Sequence, residues 1–313
     1  MMERVTTLTS YNSVLTNLMN GEVRQSQEEQ QVSSGKIAND LAGFGSNAEA
    51  LVASQSLKSR VDNYVQTATA LTSQLDSQNL GLTQVSDAGQ SARQAVAQAV
   101  ASGSADGLMN SLQSYFSQAV GGLNTQYNGA YLFAGGKVDT PPVAAKTLAD
   151  LTSPPAGGVF QNDQLAASSR LDESTTLQTG VLASNVGSNL FNAFQQIEAY
   201  DQGPNGPLTG QLTTTQSAFL TNMMQTFDTV NKGLTNTVAA NGLMQNRVTT
   251  AQTTQQQRQT SLQTALGGIT DVDMAQAISQ LNQTRTSLQA SAKIFSTLQS
   301  SSLLGFLTAG VTG

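Results

Sequence analysis

VDNYVQTATALTSQLDSQNLGLTQVSDAGQSARQAVAQAVA, residues 61–101, is the stretch that decides the fold. Val61, Ala68, Leu75, Leu82, Gly89 and Val96 recur every seven residues, and Tyr64, Leu71, Gln78, Val85, Ala92 and Ala99 fill the companion position. That is an a/d seam sustained for about six heptads, the pattern of a helix wound on a partner. Traced back to Ala48, the helix would run about 80 Å at ~1.5 Å per residue. Gly89 and Ala92 on the seam would let a neighbouring backbone come close.

The partner has to come from elsewhere in the chain. Downstream, SGSADG (Ser102–Gly107) ends the helix, and a shorter one follows with Leu108, Leu112, Phe116, Val120, Leu123 and Tyr127 on one face. Helix returns from Thr214 to Leu266. Its face carries Phe219, Met223, Phe227, Val230, Leu234 and Val238, then Asn241, Met244, Val248 and Ala251. Gly267-Gly268 are expected to stop it, because each glycine costs a helix about 1 kcal/mol relative to Ala.

The two ends are thinner versions of the same thing. Val5, Leu8, Tyr11, Leu15, Leu18 and Val23, with Met19 beside them, mark a narrow stripe at helical spacing in the first segment. The last segment shows Met274, Ile278, Leu281, Arg285, Leu288, Ala292, Phe295 and Leu298 at three-and-four spacing. Thr270-x-x-Asp273 stands in front of it as a helix cap. Such narrow stripes are marginal alone and need something to pack on. SSGK (Ser33–Lys36) breaks the first helix, and the polar, Gly-containing stretch to Asn47 reads as a connector.

Between the long helices the pattern changes. Asn128-Gly129 signals a turn, Tyr131-Leu132-Phe133 is strand-like, and all 6 prolines fall between there and Pro207. The expected fold is therefore mainly α: a long antiparallel helical bundle or coiled coil formed by N- and C-terminal arms, with a small β-containing insertion in the middle. The expected divisions are 1–46, an inner helix and connector; 47–134, half of a helical rod; 135–213, a β-rich insertion containing one short helix at 189–199; 214–269, the other half of the rod; and 270–313, the second inner helix. The rod core is expected at Val61, Leu71, Leu75, Leu82, Val85, Val96, Phe219, Phe227, Val230 and Leu234. Pairing two helices covers one side of each, so the remaining apolar surface calls for further subunits.

Composition narrows the function classes. The chain has 313 residues, 38% apolar and 11% charged. Globular averages are about 45–50% and about 25%. Net charge is −6, and the 14 basic residues are scattered singly, which argues against nucleic acid as a partner. No apolar run reaches the ~20 residues that span a bilayer, and the first residues lack a cationic leader with an apolar core. There is no His and no Cys, so the commonest general base, any thiol nucleophile and most zinc ligand sets are missing. Glu28-Glu29, Asp172-Glu173 and Asp271-Val272-Asp273 read as solvated faces, loop residues and a helix cap. No cofactor or metal site is expected.

Three stretches carry a resemblance. QVSSGKIANDLAGFGSNAEALVASQSL (Gln31–Leu57) looks like the connector after the innermost helix in the flagellin superfamily, departing from the usual pattern at Ile37-Ala38-Asn39 and Ala42-Gly43-Phe44. TDVDMAQAISQLNQTRTSLQASAKIFSTLQSSSLLGFL (Thr270–Leu307) looks like its C-terminal inner helix. NTQYNGAYLFAGGKVDTPPV (Asn124–Val143) is similar to a segment of the hook–filament junction branch of that superfamily, which filament subunits usually lack. The resemblance implies a non-enzymatic subunit of the extracellular bacterial flagellum, exported unfolded by the flagellar type III route with a dedicated chaperone. It implies a homo-oligomeric ring between a neighbouring hook-associated protein and flagellin, with filament flagellin as the alternative. It also implies that Val5, Leu8, Leu15 and Leu18 meet Leu281, Leu288, Phe295 and Leu298, with Met274 and Ile278 on the same assembly surface. The rod seam from Val61 to Val96 should pack on the helix from Phe219 to Val248. A distant reading, a secreted glycan-binding or glycan-active protein, would rest on Asp139, Asp150, Asp163, Asp172 and Glu173 in the insertion.

Overall fold

The computed structural model describes residues 2–155 and 158–309, with side chains in the terminal helices at 9 and from 12 to 297. The chain forms two compact units, Met1–Ser59 with Thr260–Gly313, and Arg60–Gln259. The regular elements are α1 (Met2–Ser34), a 3-10 turn (Ala42–Asn47), α2 (Ala48–Ser102), α3 (Leu108–Leu123), β1 (Gln126–Tyr127), β2 (Ala130–Tyr131), α4 (Ala149–Thr152), β3 (Ser168–Arg170), β4 (Thr176–Gln178), α5 (Ala183–Asp201), α6 (Thr214–Thr270) and α7 (Met274–Ala309). The fold is mainly α, with two small two-stranded antiparallel sheets among the described residues.

In the unit Arg60–Gln259, α2 and α6 pair antiparallel along the heptad seam. Every seam position from Val61 to Ala99 is buried except Tyr64, which is half-buried. One flank carries a ladder of amides. The Gln259, Gln252 and Gln245 side chains donate to Asp62 (2.7 Å), Thr69 (2.9 Å) and Asp76 (2.9 Å). Each step of seven along α2 is thus matched by a step of seven back along α6, and the Arg93–Asp228 ion pair (2.5 Å) continues the same register. Inside the seam, Gln78 and Asn241 are both buried and joined by a hydrogen bond of 2.9 Å.

Of the expected rod core, Val61, Leu71, Leu75, Leu82, Val85, Val96, Phe227, Val230 and Leu234 are buried. Phe219 is half-buried instead, its ring stacked on Tyr200 with centroids 3.9 Å apart. The first turns of α6 turn Gln216, Leu220 and Met223 inward, and Phe219 lies one row away. Gly89 opens room for the Asn231 side chain of α6 and for Leu234, not for a backbone.

The end of α2 is a neck. Gly103 has φ +70, and the chain that leaves there is bonded to the chain that returns: Leu212 N–H to Gly103 O and Ala105 N–H to Gly210 O, both 2.8 Å, around a Ser104–Gln211 bridge. Beyond it α3 buries Leu108, Leu112, Phe116, Ala119 and Leu123 at helical spacing. Asn128 (φ 50) and Gly129 (φ 81) form the two-residue turn of the β1–β2 hairpin, in the left-handed region that such turns require.

The longest element between 135 and 213 is a helix, α5, nineteen residues long and starting six residues before the expected position. Its start hides in sequence because Ser184, Asn185, Gly187 and Ser188 are poor helix formers. Packing overrides them. A Cβ at Gly187 would stand 2.7 Å from Leu123 and 3.1 Å from Phe160. Five rings run through this core in a chain, Phe160–Phe191–Phe116–Phe194–Phe227, with centroids 5.2, 5.0, 5.7 and 5.7 Å apart. They tie the insertion, α5, α3 and α6 together. Burying each such ring contributes about 1.5–3 kcal/mol. The second hairpin, β3–β4, buries Leu171, and half-buried Leu177 sits with it on Ala68, Leu71, Leu75 and Val248.

Candidate assembly surfaces

In the other unit, α1 and α7 lie against each other. Val14, Leu18, Gly21, Gln25, Glu28 and Val32 are buried or half-buried, spaced alternately by four and three. Ala277, Leu281, Thr284, Leu288, Ser291 and Phe295 repeat that spacing on α7. Gly21 leaves room for the Leu288 side chain: a Cβ there would stand 2.7 Å from Leu288 Cδ2. Thr284 Oγ1 donates to Glu28 at 3.1 Å, and the Arg285 guanidinium donates to Glu29 at 2.8 Å. Arg285, and secondarily Gln25, hold the Glu29 carboxyl below its usual pKa.

The base of the pair is closed by residues on either side of the two connectors. Ile37 N–H donates to Thr270 O (2.8 Å), Val272 N–H to Gly35 O (3.0 Å), and Lys36 Nζ meets Asp271 Oδ1 at 2.5 Å. Lys36 holds Asp271 below the ordinary carboxylate range. Gly35, at φ +68 with its N–H on Gln31 O, ends α1 as a left-handed cap. Asp273 caps α7, accepting from Ala275 N–H (3.0 Å) and Gln276 N–H (3.1 Å). Gly267-Gly268 do not stop α6, which runs on to Thr270. Its last turn is held by the local bond of Asp271 N–H on Gly267 O and by Ile37 N–H on Thr270 O, the latter a contact outside the reach of local propensity.

The sequence-derived stripe and the buried face differ by about one helical row. Leu18, Leu281, Leu288 and Phe295 lie on the face between α1 and α7. Leu15, Met274 and Ile278 are exposed, as are Met19, Val23 and Ile294. The side chains of Val5, Leu8 and Leu298 lie outside those described. A one-residue step turns a helix by about 100°, so each terminal helix carries a second apolar row that its intrachain partner leaves open. Polar Gln25, Glu28, Thr284 and Ser291 occupy inner positions, which is why reading apolar residues alone shifted the face. Among the described residues, ten of the fourteen large apolar side chains exposed to solvent belong to this smaller unit.

The segment Asn124–Val143 is a built structure. The Asn124 amide clamps the segment's far end, accepting from Val143 N–H (2.9 Å) and donating to Val143 O (3.0 Å). Leu132 N–H bonds Thr125 O, Phe133 is fully buried, and Phe133 O receives Ala183 N–H at the start of α5. The insertion carboxylates serve its turns. Asp150 accepts from Lys146 and Thr147 N–H, and Asp163 from Gly136 and Leu165 N–H; these amides lower both pKa values. Asp172 accepts from Ser174 and Thr175, which take its pKa down to about 2, and Glu173 pairs with Arg60 at 3.3 Å. Asp139 is exposed.

This fold is a chain doubled back on itself, end helix on end helix and long helix on long helix. Residues 5–137 match the bacterial flagellin N-terminal helical region, and residues 224–307 match the bacterial flagellin C-terminal helical region. The chain belongs to the bacterial flagellin family. Among solved structures, a putative flagellar hook-associated protein from Vibrio parahaemolyticus is 17% identical with a TM-score of 0.60, covering 73% of this chain and 100% of that one. FlgL of Bacillus cereus is 16% identical with a TM-score of 0.51, over 69% of this chain and 98% of that one. No curated protein matches the chain in sequence.

Proposed function

We propose that the chain is a structural subunit of the bacterial flagellum that joins hook to filament, as hook-associated protein 3 does. The observation that carries an assembly role is the open apolar row on each terminal helix: Leu15, Met19 and Val23 on α1, and Met274 and Ile278 on α7. Contiguous exposed apolar surface on a soluble chain marks an interaction site. A chain that uses two different faces of its end helices can pack head to tail with copies of itself, closing a ring. In this reading Val5, Leu8, Leu15, Leu18, Met274, Ile278, Leu281, Leu288, Phe295 and Leu298 form the assembly interface. Segments 1–46 and 270–313 are the inner arms, 47–134 and 214–269 the rod, and 135–213 the outer insertion.

The Asn124–Val143 segment favours the junction over the filament. The likeness in fold to a hook-associated protein and to FlgL supports the same branch. Filament flagellin is the second reading, favoured by the flagellin family match itself. The junction role brings with it an adjacent hook-associated protein, flagellin, an export chaperone, type III secretion and an extracellular site. A non-enzymatic role is supported by the insertion carboxylates, four of which are engaged by turn amides or an ion pair. Deleting the gene tests the reading. Electron microscopy should show hooks without filaments, with flagellin released to the medium; filaments of any length on the deletion strain would overturn the junction role.

A further inference from the structure

The chain has no Cys, His or Trp, so its 8 methionine thioethers are its softest sites for a two-electron oxidant. Among the described residues only Met19 (59%) and Met274 (41%) are exposed; Met223 is 2% exposed, and Met109, Met224 and Met244 are half-buried. Both exposed thioethers stand on terminal helices, on the rows that their intrachain partners leave open. We propose that Met19 and Met274 are oxidation sites through which peroxide controls assembly: their sulfoxides block the terminal helices from packing between subunits, and packing shields the thioethers. The inference rests on the assembly role proposed above.

In the reaction the methionine sulfur attacks one peroxide oxygen, an S–O bond forms as the O–O bond breaks, and water leaves. The sulfur loses two electrons and the peroxide gains them. An apolar, pliable side chain becomes a strong hydrogen-bond acceptor, and burying it without a donor is unfavourable. Leu has nearly the same volume and cannot be oxidised in this way.

The test uses the purified full-length chain and flagellar hooks isolated from the deletion strain, with the adjacent hook-associated protein still in place. The chain is treated with hydrogen peroxide, sulfoxide occupancy at each methionine is read by peptide mass spectrometry, and hook-bound protein is measured by co-sedimentation. Wild type should be oxidised at Met19 and Met274 well ahead of Met223, lose hook binding, and regain it after methionine sulfoxide reductase. The double variant Met19→Leu, Met274→Leu should bind hooks before and after peroxide; it retains Met1 and Met2, so their oxidation is common to both chains. Oxidation of Met223 as fast as Met19, or loss of binding by the peroxide-treated double variant, overturns the proposal. Untreated wild type that fails to bind hooks overturns the assembly reading and this proposal with it, a failure distinguishable because it precedes any oxidant.

Discussion

Gln78 Nε2 lies 2.9 Å from Asn241 Oδ1 in the middle of the α2–α6 seam, both side chains fully enclosed, while the Asn241 amide reaches Leu75 O at 3.2 Å. A heptad seam looks nearly the same to itself after a slip of seven residues. Such a slip would set Asn241 against Leu71 or Val85 and strand its amide without partners. The pair therefore excludes the slipped registers, as buried polar residues do in coiled coils. Replacing Asn241 by Ala leaves the Gln78 donor buried and unpaired, and should cost about 1–3 kcal/mol. The double change Gln78→Leu, Asn241→Leu should keep or raise stability while loosening the register. Urea unfolding of the full chain measures the first effect. Cysteine pairs placed to crosslink only the native register or only the slipped one measure the second.

The pairing of α1 with α7 depends on Gly21. Gly21→Ala should be tolerated, since the nearest atom is the end of the flexible Leu288 side chain and alanine favours the helix by about 1 kcal/mol. Gly21→Ile should separate the helices and abolish incorporation onto hooks. Leu288→Ala opens the space that isoleucine needs, so the double variant should recover, with a coupling of about 0.5–3 kcal/mol in a thermodynamic cycle. Additive losses in thermal unfolding would refute the contact.

How legible this was depended on the element. The α2 seam could be read directly, because eleven of its twelve positions from Val61 to Ala99 are buried as the repeat requires. The end helices were legible as helices but not in their facing. Their seam is filled by Gln25, Glu28, Thr284 and Ser291, which hydropathy assigns to solvent, while Met19 and Met274 are apolar and exposed. Beyond Gly267-Gly268, the last carbonyl of α6 accepts a hydrogen bond from Ile37, more than two hundred residues away, which no local window contains. The start of α5 was hidden by residues chosen for close packing, Gly187 above all.

The ring chain centres on Phe116, which touches Phe191 at 5.0 Å and Phe194 at 5.7 Å. Phe116→Ala should destabilise the Arg60–Gln259 unit by about 3–5 kcal/mol. Phe160→Ala, at the half-buried end of the chain, should do less. Calorimetry on the two variants gives the order, and a larger loss for Phe160→Ala would contradict the packing.

Acid should weaken the pairing of the chain ends. Asp271 and Glu29 have folded pKa values below their ordinary 3.8 and 4.5, chiefly through Lys36 and Arg285. Their contribution is therefore complete above those ordinary values and is lost as pH falls through the lowered ones. Glu198 behaves oppositely. Burial raises its pKa above 4.5, so its contribution is present below that value and is lost as pH rises through the raised one. In melting curves from pH 7 to pH 2, the gap between wild type and Asp271→Asn, Glu29→Gln should close at the acid end. Glu198→Gln should gain on wild type toward neutrality. Salt should shrink the first gap at pH 7, since both ion pairs are exposed.

The hydrogen-bonded neck at Gly103–Ala105 and Gly210–Leu212 gives everything between those points a single doorway. The chain leaves and re-enters there with its two strands clasped. Material can be added to or trimmed from the excursion at its outer loops without altering how far apart the long helices stand, because the doorway, the seven-residue ladder and the buried core beneath those loops set that distance and the loops do not. A fold arranged this way can vary in its outer loops while the long helices beneath keep their spacing.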